Sequence, residues 1–303
     1  MSQIIGHSKN KDWLLSQSKN QSLPSSIIFH GPTGIGKKTL ALALLQSLNC
    51  KVSELGCGTC SSCVRILEEK NEMIHLLTTE DKKSIGVDQV RDIQSFYQLK
   101  THHEARFVIV DPADKLSISA ANSLLKVLEE PSEKTHFILI TDQIRSLLPT
   151  IRSRSHILNF SQLTKQELQS YTDFTDLAVN WSDGRLTMAL ELQSDDKVSE
   201  LNNSIQLFYS LLCEHPTDWK KKAPWFFNND YSREFCFNIW KQALEKRLYQ
   251  SSENLEFIPE SPGKISQIFE EMGRLQTEIK SNVDKLLALE NFYYRVRPVM
   301  MSQ

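Results

Sequence analysis

The stretch GPTGIGKKTL at residues 31–40 decides the fold of this chain. It follows a β-branched run, SSIIFH, and leads into an apolar helical pattern, which is the context that a phosphate-binding loop requires. Three glycines let backbone amides curl around phosphate oxygens: Gly31, Gly34 and Gly36. Lys37 reaches the terminal phosphates, and the helix N-terminus adds its positive end. The stretch therefore predicts a domain descended from nucleotide-binding proteins.

The positions that would hold magnesium and activate water have changed. Lys38 stands where a hydroxyl would coordinate Mg²⁺, and Thr39 comes one residue late. The apolar strand FVIV ends at Asp111, as a magnesium-binding strand should, but Pro112 follows where a glutamate would polarise the attacking water. Proline offers no proton acceptor. The pattern favours a nucleotide site that no longer hydrolyses, and it leaves nucleotide binding open.

The first half of the sequence alternates short strands with amphipathic helices. The segments, in order, are SSIIFH, a helix from residue 37 to about 48, MIHLL, VDQVRDIQSFYQL, RFVIVD, SISAANSLLKVLEE, THFILIT and SHILNF. This rhythm predicts an α/β fold with a parallel sheet covered by helices on both faces. The strands stop near residue 160.

Helices are predicted from there to the end. Thr164 and Glu167 form a capping box at the start of LTKQELQSYT. The last and longest predicted helix carries a heptad-like apolar stripe, broken at Asn282, whose members are Ile265, Ile268, Met272, Leu275, Ile279, Leu286, Leu289 and Tyr293. Such a stripe indicates either intramolecular core or packing against sister subunits.

Composition excludes several classes of protein. The 303 residues are 40% hydrophobic and 24% charged, which is typical of a globular chain with two or three cores. No apolar run is long enough for a membrane helix or a signal segment, so we expect a cytoplasmic protein. The net charge of -2 gives no bulk attraction to nucleic acid, which disfavours a stand-alone nucleic-acid-binding module.

Four of the six cysteines cluster in CKVSELGCGTCSSC. They are Cys50, Cys57, Cys60 and Cys63. Two-residue gaps let successive thiolates converge on one ion, and in a cytosolic protein this favours a structural zinc site over disulfides. An iron-sulfur cluster is the rival, but Leu67 and Glu68 stand where its run needs a further cysteine and a proline. Cys213 and Cys236 lie apart in apolar segments, as core residues do.

The succession of motifs resembles the clamp-loader AAA+ proteins of bacterial DNA polymerase III. The resemblance rests on IIGHSKNKDWL, GPTGIGKKTLA, the four-cysteine module, VDQVRDIQ, FVIVDPADKLSISAANSLLKVLEEP, THFILIT and LPTIRSRS. It is continuous over about residues 4–160, and beyond them it rests mainly on SNVDKLLALENFYYRVR. It implies an AAA+ domain at residues 1–160, a helical lid at 161–201 and a helical collar at 202–303.

The resemblance also implies roles for individual residues. Arg154 falls on the arginine that reaches into the ATP site of a neighbouring gamma or tau subunit, with Ser155 in place of the usual cysteine. Thr141 matches the sensor position at a strand end. The second sensor, an arginine in the family, would be Thr187, and Arg185 is out of place for it. The four cysteines match the zinc module of the family.

The implied partners are gamma/tau and delta subunits in a five-subunit ring, and the sliding clamp and primer-template DNA through that ring. The favoured interpretation is a non-hydrolysing subunit that supplies Arg154 in trans. The alternative is an active gamma/tau-type ATPase, which would need serine or threonine at position 38 and glutamate at position 112.

Overall fold

The chain divides into two compact units, Met1–Leu190 and Glu191–Gln303. The computed structural model describes residues 4–69, 72–79, 83–98, 104–132, 134–227, 230–249, 255–281 and 283–301. All the strands of these residues lie in the first unit, and the regular elements of the second are helices.

The strands of the first unit are β1 (Ser26–His30), β2 (Ile74–Leu77), β3 (Arg106–Val110), β4 (Thr135–Thr141) and β5 (His156–Asn159). They form one parallel sheet in the order β2-β3-β4-β1-β5. β1 lies between β4 and β5, with Ile28 opposite Leu139 of β4 on one side and Ile157 of β5 on the other. The predicted parallel sheet is confirmed.

The helices of this part of the chain are α1 (Ser8–Lys19), α2 (Lys37–Asn49), α3 (Ser61–Leu67), α4 (Val87–Gln98), α5 (Ile118–Glu129), α6 (Pro149–Ser153), α7 (Lys165–Gln169), α8 (Asp176–Trp181) and α9 (Leu186–Glu191). Alternate residues of β1 enter two separate cores, as the pleat of a strand requires. Phe29 belongs to the same buried core as Leu44 of α2, and Ile28 belongs to a second core with Leu124 of α5. Helices therefore cover both faces of the sheet.

The predicted capping box at the start of α7 is confirmed. The Thr164 hydroxyl accepts a hydrogen bond from the Glu167 amide, and the Glu167 carboxylate accepts one from the Thr164 amide at 2.8 Å. The Leu163 amide donates to the Gly184 carbonyl at 3.0 Å, which ties the end of the sheet region to the turn before α9. The proposed lid boundaries at residues 160 and 201 stay predictions.

The helices of the second unit are α10 (Asp195–Cys213), α11 (Pro216–Lys222), α12 (Pro224–Phe227), α13 (Asp230–Tyr249), α14 (Pro262–Lys280) and α15 (Lys285–Met301). The prediction of one long final helix is wrong, because α14 and α15 are separate helices. The Asp284 carboxylate accepts the amide of Leu287 at 2.9 Å and so begins a new helix. Asn282, the predicted break, lies outside the described residues.

The apolar stripe is mainly core within the second unit. Six of its members are buried: Ile265, Ile268, Met272, Leu275, Leu289 and Tyr293. Leu286 is exposed and Ile279 is half-buried. The structure therefore favours the intramolecular interpretation of the stripe over packing against sister subunits. Among the described helices, none is both long enough and apolar enough to cross a membrane.

Candidate functional site

The four clustered cysteines bring their sulfur atoms together. All four Sγ atoms lie within 4.8 Å of one another: Cys50, Cys57, Cys60 and Cys63. Two of the separations are 4.0 Å, from Cys50 to Cys60 and from Cys57 to Cys63. Tetrahedral zinc with bonds of about 2.3 Å places its sulfurs about 3.8 Å apart. The cluster can therefore hold a metal ion.

Local structure orients these thiols. Cys50 directly follows α2, Cys60 precedes α3, and Cys63 is buried in the first turn of α3. The Cys57 amide donates to Cys50 Sγ at 3.4 Å, and the Cys60 amide donates to Cys57 Sγ at 3.3 Å. The Gln46 side chain donates to the Cys63 carbonyl at 2.9 Å and so anchors the module to α2.

The environments of the six thiols differ, both within the cluster and between the cluster and the two cysteines outside it. Hydrogen bonds from the Thr59 side chain and nearby amides lower the pKa of Cys57 to about 5, whereas burial raises the pKa of Cys63 to about 12. A bound cation favours the thiolate form of every ligand. Cys236 is buried, which raises the pKa of its thiol to about 12, and Cys213 is half-buried. Cys236 is therefore an inert core residue.

The glycine-rich loop joins β1 to α2 and has the shape of an anion-binding turn. Gly34 and Gly36 have φ angles of 76° and 94°, in the left-handed region that favours glycine. Lys37 is buried, and its ammonium group donates to the carbonyls of Gly31, at 2.6 Å, and Pro32. The ammonium is thus fixed against the loop beside the N-terminus of α2. These residues fit the polyphosphate of a nucleotide.

The metal side of the loop does not fit Mg²⁺. Lys38 Nζ lies 2.7 Å from Glu69 Oε2, so an ion pair stands beside the position of the metal-binding hydroxyl. Burial raises the pKa of the Asp111 carboxyl, and the ammonium groups of Lys38 and Lys37 oppose that rise. Pro112 follows directly. Glu69 was not singled out in the sequence, because nothing local links it to a loop thirty residues away.

The sensor position at the end of β4 is occupied. Thr141 Oγ1 donates to Asp114 Oδ1 at 2.9 Å and also accepts the Gln143 amide at 3.0 Å. The Thr141 carbonyl accepts the Gly31 amide at 3.1 Å, which joins the strand end to the start of the loop. The Thr141 hydroxyl thus hydrogen-bonds to other residues of this chain. Its role as a nucleotide sensor stays a prediction.

Two residues from other segments contact the tip of the loop. The Thr187 amide donates to the Gly34 carbonyl at 3.1 Å, and a Cβ at Gly34 would lie 2.2 Å from Thr187 Oγ1. His7 Nε2 lies 2.9 Å from the Ile35 carbonyl. Thr187 therefore touches the loop at the predicted second-sensor position, without an arginine charge. His7 was missed because only the fold reveals its contact with Ile35.

Arg154 lies on the surface of the first unit at the end of α6. Its Nη2 is 2.8 Å from Glu129 Oε1 at the end of α5, and its Nη1 donates to the Thr150 carbonyl at 3.2 Å. The side chain is 40% exposed. Ser155 Oγ donates to the Ile151 carbonyl at 2.9 Å, so the serine holds this turn. The guanidinium is accessible at the protein surface.

A cavity of about 610 Å³ opens beside the first turn of α2. Its lining includes Thr39, Ile4, Tyr171 and Cys57. It thus lies between the N-terminal segment, α2 and the cysteine module. Thr39, one residue beyond the usual hydroxyl position, lines this cavity.

The sheet order and the phosphate loop define an AAA+ type domain. The family model described as DNA polymerase III, delta subunit, matches residues 6–164, which is more than half of the chain. The chain therefore belongs to this family of DNA polymerase III subunits. The sequence motifs resemble its delta-prime type most.

Several curated proteins are similar to this chain. DNA polymerase III subunit delta' of Haemophilus influenzae is 33% identical over 196 residues, 61% of this chain and 59% of that protein. The Bacillus subtilis subunit delta' is 29% identical over 72% of this chain and 67% of that protein. The gamma/tau subunit of Mycobacterium tuberculosis is 35% identical over 47% of this chain and 25% of its own length. The chain thus spans only part of these relatives.

A solved structure shares the fold. It is a DNA polymerase III gamma subunit-related protein of Thermotoga maritima, with a TM-score of 0.52 and 18% sequence identity. The match covers 95% of this chain and 99% of that one. At 18% identity, this similarity supports a shared fold and nothing more.

Proposed function

We propose that the chain is a delta-prime-type subunit of a bacterial DNA polymerase III clamp loader and does not itself hydrolyse ATP. Family membership supports the clamp-loader role, and relatives named subunit delta' are 29% to 41% identical to it. In this role the chain helps to load the sliding clamp onto primed DNA during replication.

The Lys38–Glu69 ion pair carries the non-hydrolysing part of the proposal. Hydrolysis needs a metal ion that neutralises the developing charge and a base that orients water. An ammonium group at 2.7 Å from a carboxylate replaces the hydroxyl ligand, and Pro112 removes the base. Both losses act on the same step, so the chain retains the phosphate cradle without the means to cleave a phosphoanhydride.

Arg154 gives the chain its part in the chemistry of a neighbour. Phosphoryl transfer builds negative charge on the transferred group, and an arginine supplied from outside a site stabilises that charge. The Arg154 guanidinium is exposed, and its contacts with Glu129 and Thr150 hold it at the end of α6. We propose that it enters the ATP site of an adjacent gamma/tau subunit.

The four-cysteine cluster holds a structural zinc ion in this proposal. Four thiolate ligands complete a tetrahedral shell and leave no position for a reactive water. The 4.0 Å sulfur separations and the lack of the ferredoxin sequence run favour zinc over an iron-sulfur cluster. The zinc stabilises the module between α2 and α3.

Assembly is assigned to the C-terminal helices. We propose that residues 161–201 form a lid and residues 202–303 a collar that joins gamma/tau and delta subunits in a five-subunit ring. Exposed apolar residues remain on α15 although its main stripe is buried, notably Leu287 and Tyr294. The complex would then bring the chain to the sliding clamp and primer-template DNA in the cytoplasm.

An ATPase assay of the purified chain separates this proposal from the gamma/tau-type alternative. We expect no magnesium-dependent hydrolysis above background, either alone or after Lys38→Thr with Pro112→Glu, because no neighbour supplies an arginine. Lys126→Thr, an exposed change on α5, is the matched control. Hydrolysis by the unmodified chain that disappears in Lys37→Ala would establish the alternative.

Size-exclusion chromatography with gamma/tau and delta subunits tests the assembly role. The full chain should enter the complex, and a chain lacking residues 202–303 should remain outside it. Entry of the truncated chain would contradict the collar assignment.

A further inference from the structure

Accessibility distinguishes the four thiols of the cysteine cluster. Cys63 is fully buried, whereas Cys50, Cys57 and Cys60 are half-buried. Cys60 directly precedes α3 and is flanked on both sides by exposed residues. An oxidant in solution selects thiolates by their accessibility and nucleophilicity. Cys63 is therefore shielded, and one of the three half-buried sulfurs is the first target of an oxidant.

Hydrogen bonds separate Cys60 from the other two half-buried cysteines. Cys50 Sγ accepts the amides of Ser53 and Cys57, each at 3.4 Å. Cys57 Sγ accepts the Cys60 amide at 3.3 Å and the Thr59 hydroxyl at 3.6 Å. Among the described residues, no amide or hydroxyl donates to Cys60 Sγ, and Cys50 Sγ lies 4.0 Å from it. Such donors stabilise a thiolate and lower its nucleophilicity, so Cys60 carries the most nucleophilic of the accessible sulfurs.

We propose that Cys60 is a peroxide-sensitive modification site, which a hydroperoxide oxidises and which Cys50 then closes as a Cys50–Cys60 disulfide. The Cys60 thiolate attacks one oxygen of hydrogen peroxide, the O–O bond breaks, and hydroxide leaves as the sulfur becomes a sulfenic acid. The Cys50 thiolate attacks that sulfur and expels a second hydroxide. The two sulfurs give up two electrons, the peroxide accepts both, and two protons from solvent convert the hydroxides to water.

The arrangement of the sulfurs favours Cys50 as the partner of Cys60. The separations of 4.0 Å divide the cluster into two pairs, Cys50 with Cys60 and Cys57 with Cys63. A disulfide has an S–S length of about 2.05 Å, so the first pair must approach by about 2 Å. Residues 51–59, which connect the two cysteines, are mostly exposed and lie outside both buried cores of the sheet. A local shift of this segment is therefore enough to close the bond.

Oxidation changes what the cluster can bind. A disulfide sulfur is no longer a thiolate, so Cys57 and Cys63 remain as the two thiolate ligands of the cluster. Two are too few for a structural zinc site, which needs four ligands. Each disulfide formed should therefore release one zinc ion. The release rests on the zinc site proposed above, whereas the disulfide depends only on the thiols themselves.

Peroxide treatment of the purified full chain tests the proposal. Zinc content is measured first, and a chromogenic chelator then follows zinc release during treatment with about one equivalent of hydrogen peroxide. Peptide mass spectrometry identifies the cysteines that become joined. We expect a Cys50–Cys60 link as the main product and about one zinc ion released per link. A thiol reductant with added zinc should reverse both changes.

Two histidine variants isolate the contribution of the Cys60 thiol. Cys60→His and Cys57→His each leave three thiolates and an imidazole, a ligand set that zinc accepts. Cys60→His should slow the loss of cluster thiols to peroxide by about tenfold, and Cys57→His by less than about threefold. Cys50→His should leave Cys60 as a sulfenic acid, which a cyclic 1,3-diketone captures. Cys213→Ser, outside the cluster, is the control for oxidation elsewhere.

Three results would overturn the proposal. They are a main disulfide other than Cys50–Cys60, equal rates of thiol loss in Cys60→His and Cys57→His, or cluster thiols that survive about ten equivalents of peroxide. Zinc content before treatment judges the metal assignment separately, and a chain without metal is mapped in the same way. A wrong disulfide would therefore leave the zinc site and the clamp-loader role standing, and absence of zinc would leave the disulfide result intact.

Discussion

The phosphate loop and the Arg154 surface retain different parts of the set of groups that ATP hydrolysis uses. The loop keeps its glycines and Lys37, but Lys38 pairs with Glu69 where a metal ligand is needed. The arginine surface keeps an accessible guanidinium on a turn held by Ser155. A chain that acts only through a neighbour needs its own arginine but not its own metal site. The difference between the two regions is what the proposed role requires.

The largest expected effect on the structure concerns the cysteine module at residues 50–63, which lies between the end of α2 and the first turn of α3. The purified chain should contain about one zinc ion, and Cys60→Ser should remove it, because a three-thiolate site loses much of its affinity. Cys213→Ser, outside the cluster, should keep the zinc. Elemental analysis measures the metal, and limited proteolysis should show local opening at residues 50–63.

Iron in the freshly purified chain, or no metal at all, would contradict the zinc assignment. A Cys60→Ser chain that unfolds as a whole would show that the module supports more than its own segment. We expect the sheet to survive, because its two buried cores do not include the four cysteines.

An intermediate effect is expected where the loop meets Thr187. Gly34→Ala should lower the free energy of unfolding by about 1–3 kcal/mol, because the φ of 76° is strained for alanine and its Cβ would meet Thr187 Oγ1. Gly86→Ala has open space around it and should change stability little. Chemical denaturation measures both. Adding Thr187→Ala should relieve the clash but leave the backbone strain.

Equal unfolding free energies for Gly34→Ala and Gly86→Ala would mean that the loop does not hold the conformation described. The phosphate cradle would then not be preformed, and the described difference between the loop and the Arg154 surface would not hold.

The smallest effect concerns the restraint on Arg154. An exposed ion pair contributes about 0.2–1 kcal/mol, so Glu129→Gln should free the guanidinium at little cost in stability. If Arg154 leaves Glu129 to enter a neighbouring site, this change should raise the ATPase rate of the complex by up to about fivefold. Glu130→Gln, at the adjacent exposed position, is the control. A lower rate would mean that Glu129 positions the arginine for its role.

The sheet domain followed from the sequence because its signals are local. The β-branched runs, the glycine-rich turn and the capping box at Thr164 each specify their own structure, and each lies where predicted. The four cysteines are also close in sequence, so their spacing was enough to indicate a common site. Arg154 has no local signal and was found only through the family resemblance.

Long-range contacts could not be predicted in the same way. Glu69 reaches Lys38 and His7 reaches Ile35 only because the fold brings separate segments together. The final helix was mistaken for one element because the apolar stripe continues at similar spacing across the break. The cap at Asp284 begins a second helix there, and the buried stripe belongs to the core of its own unit.

Replacement of the guanidinium by an ammonium tests the chemistry at the neighbouring site. Arg154→Lys should slow ATP hydrolysis by the complex nearly as much as Arg154→Ala, because lysine offers a point charge and cannot grip two phosphate oxygens. Full ATPase activity of the complex with Arg154→Lys would indicate that a positive charge alone is sufficient at this position.

ATP hydrolysis by the fully assembled complex should be compared between Lys37→Ala and Arg154→Ala, with Arg145→Ala as the exposed control. We expect Arg154→Ala to slow hydrolysis at the adjacent gamma-type site by roughly a thousandfold and to reduce clamp loading, while Lys37→Ala leaves the hydrolysis rate unchanged. Unchanged hydrolysis with Arg154→Ala, together with a loss in Lys37→Ala, would contradict the proposed role of Arg154 and make this chain an ATPase in its own right.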